Sequence, residues 1–153
     1  MIFVIDASVA AKWFLPDEPY SALALELLRR ATMGATDFIV PDLFVAECGN
    51  ILWKAARRQR LSAGETLAAI QVIGDLQTLT VPASGPLERT LQIARAYDRT
   101  FYDSLYIAVA VQQQAHLVTA DEKTRERHGS LPPRQVAWSL TALGFPLYLT
   151  ITH

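Results

Sequence analysis

The sequence is short of cysteine, histidine and glycine, and it has no long apolar run. A single cysteine, Cys48, among 153 residues leaves no internal disulfide and fits a reducing cytoplasm. The histidines, His116, His128 and His153, lack any metal-ligand spacing, which sets zinc aside. No glycine-rich phosphate loop follows the first apolar stretch. The longest uninterrupted apolar run, residues 105–111, falls far short of the ~20 residues a membrane-spanning helix needs. The N-terminus carries neither a basic leader nor a small-residue cleavage site, so a cytoplasmic location is expected. Neither sign of charge dominates, with Lys+Arg 14 against Asp+Glu 15 and a net charge of −1. That balance argues against a protein that coats nucleic acid, while leaving room for an enzyme that touches it through a local basic rim. With 51% hydrophobic and 19% charged residues the chain is neither disordered nor of low complexity, and its length suits one domain over 1–153.

What is there is an alternation of strand and helix signals. Residues 2–5 form a β-branched run that ends at Asp6 and reads as a buried strand. A helix-permissive stretch, 7–15, is stopped by Pro16, and a periodic stretch follows over 23–31. Residues 38–40 read as a second strand, after which Asp42 is placed to cap a helix running to about 60. Ser62 and Glu65 match a capping box opening a helix to about 76. Residues 78–81 are a third strand, 87–97 a helix, 103–114 a helix opened by Thr100, and 116–120 a fourth strand. Further on, 134–143 reads as helix and 145–151 as a last strand. The pattern predicts an α/β fold with a mainly parallel central sheet flanked by helices.

In such sheets, sites form beyond the carboxyl ends of the strands, near the point where strand order reverses. Asp6 and Asp121 each follow a strand and fall at that edge. Taken singly, either acid also reads as an ordinary helix cap. Glu47 sits between Leu43 and Ile51 at the margin of an apolar stripe, where a carboxylate needs a partner, an ion or a raised pKa. It could equally reach solvent and pair with Lys54 or Arg58. Asp103 opens a helix that is apolar all round and therefore buried, and Thr100 and Asp103 also resemble a capping pair. Four carboxylates cannot share a small volume ionised without compensating charge. Mg²⁺ or Mn²⁺ is the usual source of it where phosphodiesters are cut. Ser8 and Thr119, each two positions from an acid, could orient a water or phosphate oxygen, or simply pack. The stretch from Asp6 to Ser8 lacks the second aspartate of an aspartate-nucleophile phosphatase, and the acid pair and late lysine of a receiver domain are absent.

These residues together resemble the PIN domain family, in particular the VapC toxins of VapBC toxin–antitoxin systems. The resemblance rests on Val4-Ile5-Asp6-Ala7-Ser8-Val9 with Lys12-Trp13-Phe14-Leu15-Pro16, and on the helix from Pro41 through Glu47 to Leu52. It rests also on Tyr102-Asp103-Ser104-Leu105-Tyr106-Ile107-Ala108 and on Leu117-Val118-Thr119-Ala120-Asp121. The matches run in the family's order over roughly residues 1–123. The resemblance implies a three-layer PIN-like fold and a Mg²⁺- or Mn²⁺-dependent endoribonuclease. By motif position, Asp6, Glu47, Asp103 and Asp121 would be the catalytic and metal-binding acids, supported by Ser8 and Thr119. It further implies an RNA substrate, a homodimer and silencing by a VapB-like antitoxin. Asp42 is an extra acid near the second motif, and the tail after Lys123 is longer than the family's usual ending.

Lys12, Lys54, Arg57, Arg58, Arg60, Arg95, Arg99 and Lys123 could hold RNA phosphates, and Lys54 and Arg58 share a helical stripe with Glu47. Trp13 and Phe14 could be core or part of a groove for an antitoxin helix, and core is the safer reading. Two alternatives stay open: a PIN nuclease acting in RNA processing or on DNA without an antitoxin, and a PIN-like binding module without catalysis.

Overall fold

The β-branched run Ile2–Ile5 forms the first strand, β1, of a computed structural model that describes residues 1–120 and 137–139. With β2 (Asp37–Pro41), β3 (Thr78–Val81), β4 (His116–Thr119) and β5 (Ala137–Ser139) it makes one sheet in the order β3-β2-β1-β4-β5. Every neighbouring pair is parallel. Parallel strands covered on both faces need unbroken apolar sequence. Phe3, Val4 and Ile5 of β1 and Phe38, Ile39 and Val40 of β2 are accordingly buried. The chain lays β2 and β3 on one side of β1, then returns to place β4 on the other. Strand order therefore reverses between β1 and β4.

Among the described residues six helices flank the sheet: α1 (Ala7–Ala11), α2 (Ser21–Thr32), α3 (Phe44–Arg57), α4 (Ala63–Gly74), α5 (Leu87–Tyr97) and α6 (Phe101–Gln112). They fall into two groups by contact. Helix α1 touches α2 and α3, and α3 touches α4, whereas α5 packs on α6 and α6 lies against β1, β2 and β4. Right-handed crossovers put the first four helices on one face and the last two on the other. The result is the helix-flanked parallel α/β sheet expected from the alternation of elements, in the three layers that the family resemblance implies.

Local chemistry explains most boundaries. Ser62 and Glu65 form the anticipated capping box, each side chain accepting from the other residue's backbone N–H at 3.2 and 2.7 Å. The Thr100 hydroxyl accepts from the Asp103 N–H and starts α6, in which every residue from Ser104 to Ala110 is buried. The short link 113–115 returns directly into β4, so the N-terminus of α6 stands at the carboxyl edge of the sheet. On the other face Phe38 stacks on Trp13, whose indole N–H donates to the Ala24 carbonyl at 2.9 Å. Trp13 is thus core.

Three expectations change. The first helix stops at Ala11 rather than running to 15, because Trp13, Phe14 and Leu15 bond back three residues and tighten the chain ahead of Pro16. Asp42 does not cap α3, whose N-cap is Leu43 with no side-chain bond. Its carboxylate instead accepts from the Ala83 N–H at 3.2 Å, tying the start of α3 to the end of β3. Of the stretch 134–143 expected as helix, the described residues Ala137–Ser139 form β5 instead, because the edge of β4 offers backbone partners that local propensity cannot reveal. The strand expected over 145–151 lies outside the described residues. Among those described, no helix is long and apolar enough to cross a membrane.

Phe38 is fully buried between the sheet and Trp13. Phe38→Ala is expected to lower the unfolding free energy by about 3–5 kcal/mol in urea titration. A loss below ~1 kcal/mol would contradict this description of the core.

Candidate active site

Asp6 leaves the end of β1 at the point where strand order reverses. Its backbone N–H donates to the Val118 carbonyl at 3.0 Å, extending the β1–β4 pairing to the last residue before the helix. Both carboxylate oxygens are held. Oδ1 accepts from the Ser8 N–H at 2.9 Å, making Asp6 the N-cap of α1, and Oδ2 accepts from the Thr119 hydroxyl at 2.6 Å. The Ser8 hydroxyl in turn accepts from the Ala120 N–H at 3.1 Å. Cap and site are therefore the same residue, and neither reading excludes the other. Ser8 and Thr119, which sequence placed near a water or a phosphate, are engaged in fixing Asp6 and in joining β1 to β4.

Glu47 comes from the first turn of α3, beside a buried stripe of Phe44, Cys48, Leu52 and Ala55. It is half-buried and does not pair with Lys54 or Arg58. Its Oε2 instead accepts from the Tyr106 hydroxyl of α6 at 2.5 Å. Asp103 enters from the first turn of the same helix, where the helix dipole favours an acid, and it too is half-buried. Three of the four expected acids thus meet at one edge from three separate elements. Asp121 lies outside the described residues.

The electrostatics show that the three carboxylates feel one another's charge. Burial raises the Asp6 carboxyl above its ordinary value, the Thr119 and Ser8 bonds work against that, and the charge of Asp103 adds to it. Burial likewise raises Glu47, the Tyr106 bond opposes it, and the charges of Asp6 and Asp103 push it further. Two bystanders feel the same field. The Cys48 thiol and the Tyr106 phenol are both pushed up, by burial first and then by Asp6 and Glu47. Among the described residues the ion pairs are Lys12 and Arg60 to Glu18, and Arg29 and Arg30 to Glu26. Among the described residues none of these pairs reaches Asp6, Glu47 or Asp103.

The donor set is oxygen only, which suits a hard divalent cation such as Mg²⁺ or Mn²⁺ and not zinc. Among the described residues no trio of carboxyl, imidazole or thiol groups already stands tightly enough to cage an ion.

The basic residues fare differently. Lys12 is buried and bonded to Glu18 at 3.2 Å, so it is no part of a rim. Lys54 and Arg58 are exposed, but they lie about 10 and 16 Å further along α3 than Glu47, toward its other end. Arg57 covers the Trp53 ring at 5.0 Å. Asp42 points to the loop after β3 and does not join the acids. Sequence reasoning quoted Tyr106 only as part of a motif. The usable signal is a phenol in the apolar stretch one turn after Asp103, since a buried tyrosine hydroxyl needs a partner.

These raised pKa values carry a sign. Glu47 holds its proton more tightly in the folded chain than at its ordinary 4.5, so its contribution to stability falls as pH rises past that value and through the raised one. Glu47→Gln keeps an acceptor for Tyr106 and removes the charge. In chelator near neutral pH this variant is expected to unfold at higher urea than wild type, with the advantage shrinking as pH is lowered toward 4.5. A variant less stable than wild type at neutral pH would contradict the repulsion.

The chain matches the family described as PIN domain over residues 3–129. Ribonuclease VapC3 from Pyrobaculum aerophilum is 29% identical over 133 residues, covering 86% of this chain and 98% of that protein. The crystal structure of PAE2754 from the same organism has a TM-score of 0.64 at 25% identity, covering 94% of this chain and 95% of the other. VapBC2 from Rickettsia felis, bound to a DNA fragment from their promoter, shares the fold with a TM-score of 0.61 at 13% identity, covering 91% and 98%. From its sequence, its sheet order and the acids at its switch point, the chain belongs to the PIN domain family and is VapC-like within it.

Proposed function

We propose that this protein is a Mg²⁺- or Mn²⁺-dependent endoribonuclease of VapC type, acting as a homodimer and silenced by a cognate VapB-like antitoxin. The observation that carries the reading is the meeting of Asp6, Glu47 and Asp103 at the β1–β4 switch point with no lysine or arginine neutralising them among the described residues. A fold that needed only stability would have little reason to gather like charges there. The ribonuclease relative supports RNA as substrate, and the VapBC2 assembly supports an antitoxin partner.

Asp6, Glu47 and Asp103 would hold the cation, with Asp121 as the fourth acid by its place after β4. Bound there, the ion supplies a water made nucleophilic near neutral pH and offsets the charge that builds on the phosphate. The chain's own part is positioning. Thr119 and Ser8 lock Asp6 so that its carboxylate cannot rotate, which fixes one corner of the site before substrate arrives. The buried α6 fixes Asp103 by its backbone. The exposed Lys54, Arg57 and Arg58 at the far end of α3 give RNA phosphates a place to rest away from the reacting bond.

Asp6→Asn and Asp103→Asn are each expected to leave the protein folded by circular dichroism and to lower Mn²⁺-dependent RNA cleavage by at least ~100-fold. Cleavage by either purified variant at the wild-type rate would remove that residue from the proposed machinery.

A further inference from the structure

The Glu47 carboxylate has an unusual support. It belongs to α3 on one face of the sheet, yet its hydrogen-bond donor, Tyr106, belongs to α6 on the other, 59 residues away. Tyr106 is 3% exposed, and its hydroxyl meets Oε2 of Glu47. The second oxygen of Glu47 takes no hydrogen bond among the described residues. Glutamate has three side-chain torsions, and here two like charges, Asp6 and Asp103, push on its end. An unrestrained carboxylate in that position would turn outward to water. Asp6 is held by bonds from Ser8 and Thr119, and Asp103 has only a short side chain at the start of α6. For Glu47 the Tyr106 hydroxyl is the restraint.

Resting on the metal-dependent reading above, we propose that Tyr106 is a positioning residue. Its hydroxyl keeps Glu47 facing Asp6 and Asp103 through one oxygen, leaves the other oxygen uncommitted, and so sets the affinity of the site for a divalent cation without ligating it. The tyrosine also stands one turn after Asp103 on the same helix face, so a single helix supplies one acid and the restraint on another. A hydrogen-bonding partner that orients a ligating group is typically worth ~10–100-fold in metal affinity.

The test is Mn²⁺ binding to the full chain, read by electron paramagnetic resonance of the free ion, for wild type, Tyr106→Phe, Glu47→Gln and the double variant. Tyr106→Phe is expected to weaken Mn²⁺ binding at least ~10-fold while the folded spectrum is kept, and added Mn²⁺ should restore RNA cleavage. In the Glu47→Gln background the same change should weaken binding little further, because the two residues act as one unit. If Tyr106→Phe does not fold, Tyr106→Met, which also lacks the hydroxyl and adapts to the cavity, must show the same weakening. Equal Mn²⁺ affinity in wild type and the hydroxyl-less variant overturns the positioning role and leaves the metal site standing. A wild-type protein that binds no Mn²⁺ overturns both.

Discussion

The candidate site depends on one constraint: Asp6, Glu47 and Asp103 are held partly out of water within reach of one another's charge. Each acid is delivered by a different part of the fold: the end of β1, the first turn of α3, and the first turn of α6. A sheet of order β3-β2-β1-β4-β5 leaves an opening at the carboxyl ends of β1 and β4, and that is where these three converge. Uncompensated charge in a partly buried place is unfavourable, and the fold offsets it with specific bonds. Thr119 and Ser8 brace Asp6, and Tyr106 braces Glu47. Among the described residues the lysine and arginine ion pairs go to other acids, Glu18 and Glu26.

That contrast bears on function. Glu18 gathers Lys12 and Arg60 and joins the end of α1 to the loop between α3 and α4, a structural clamp beside the small apolar cluster of Ala11, Leu15 and Ala55. Its pKa is lowered, first by the Arg60 bond. Asp6 and Glu47 are raised instead. The paired Glu18 is thus lowered while the buried Asp6 and Glu47, at the switch point, are raised, the direction that perturbed carboxylates at functional sites often take.

Much of this was legible in the linear sequence because it is local. The β-branched opening run, the Ser62–Glu65 box and the all-apolar α6 follow from short-range periodicity and capping chemistry. The three acids could be named because each falls at an element end or a stripe edge. What was hidden is non-local. The lysine at position 12 looked like a surface cation until its burial against Glu18 was seen. Asp42 looked like a cap, but the nearby end of β3 offered its carboxylate the Ala83 N–H instead. The bond from Tyr106 to Glu47 joins elements on opposite faces of the sheet, which no spacing rule reports. Likewise β5 exists because β4 has a free edge, and residues 134–143 alone favoured a helix.

The most direct measurement is a crystal structure of the wild-type protein soaked in Mn²⁺, with anomalous scattering recorded to locate the ion. A peak within coordination distance of an Asp6 oxygen and of Glu47 or Asp103, at the carboxyl edge between β1 and β4, is the predicted result. No bound ion at that edge, with the three carboxylates turned outward to solvent, would contradict the account.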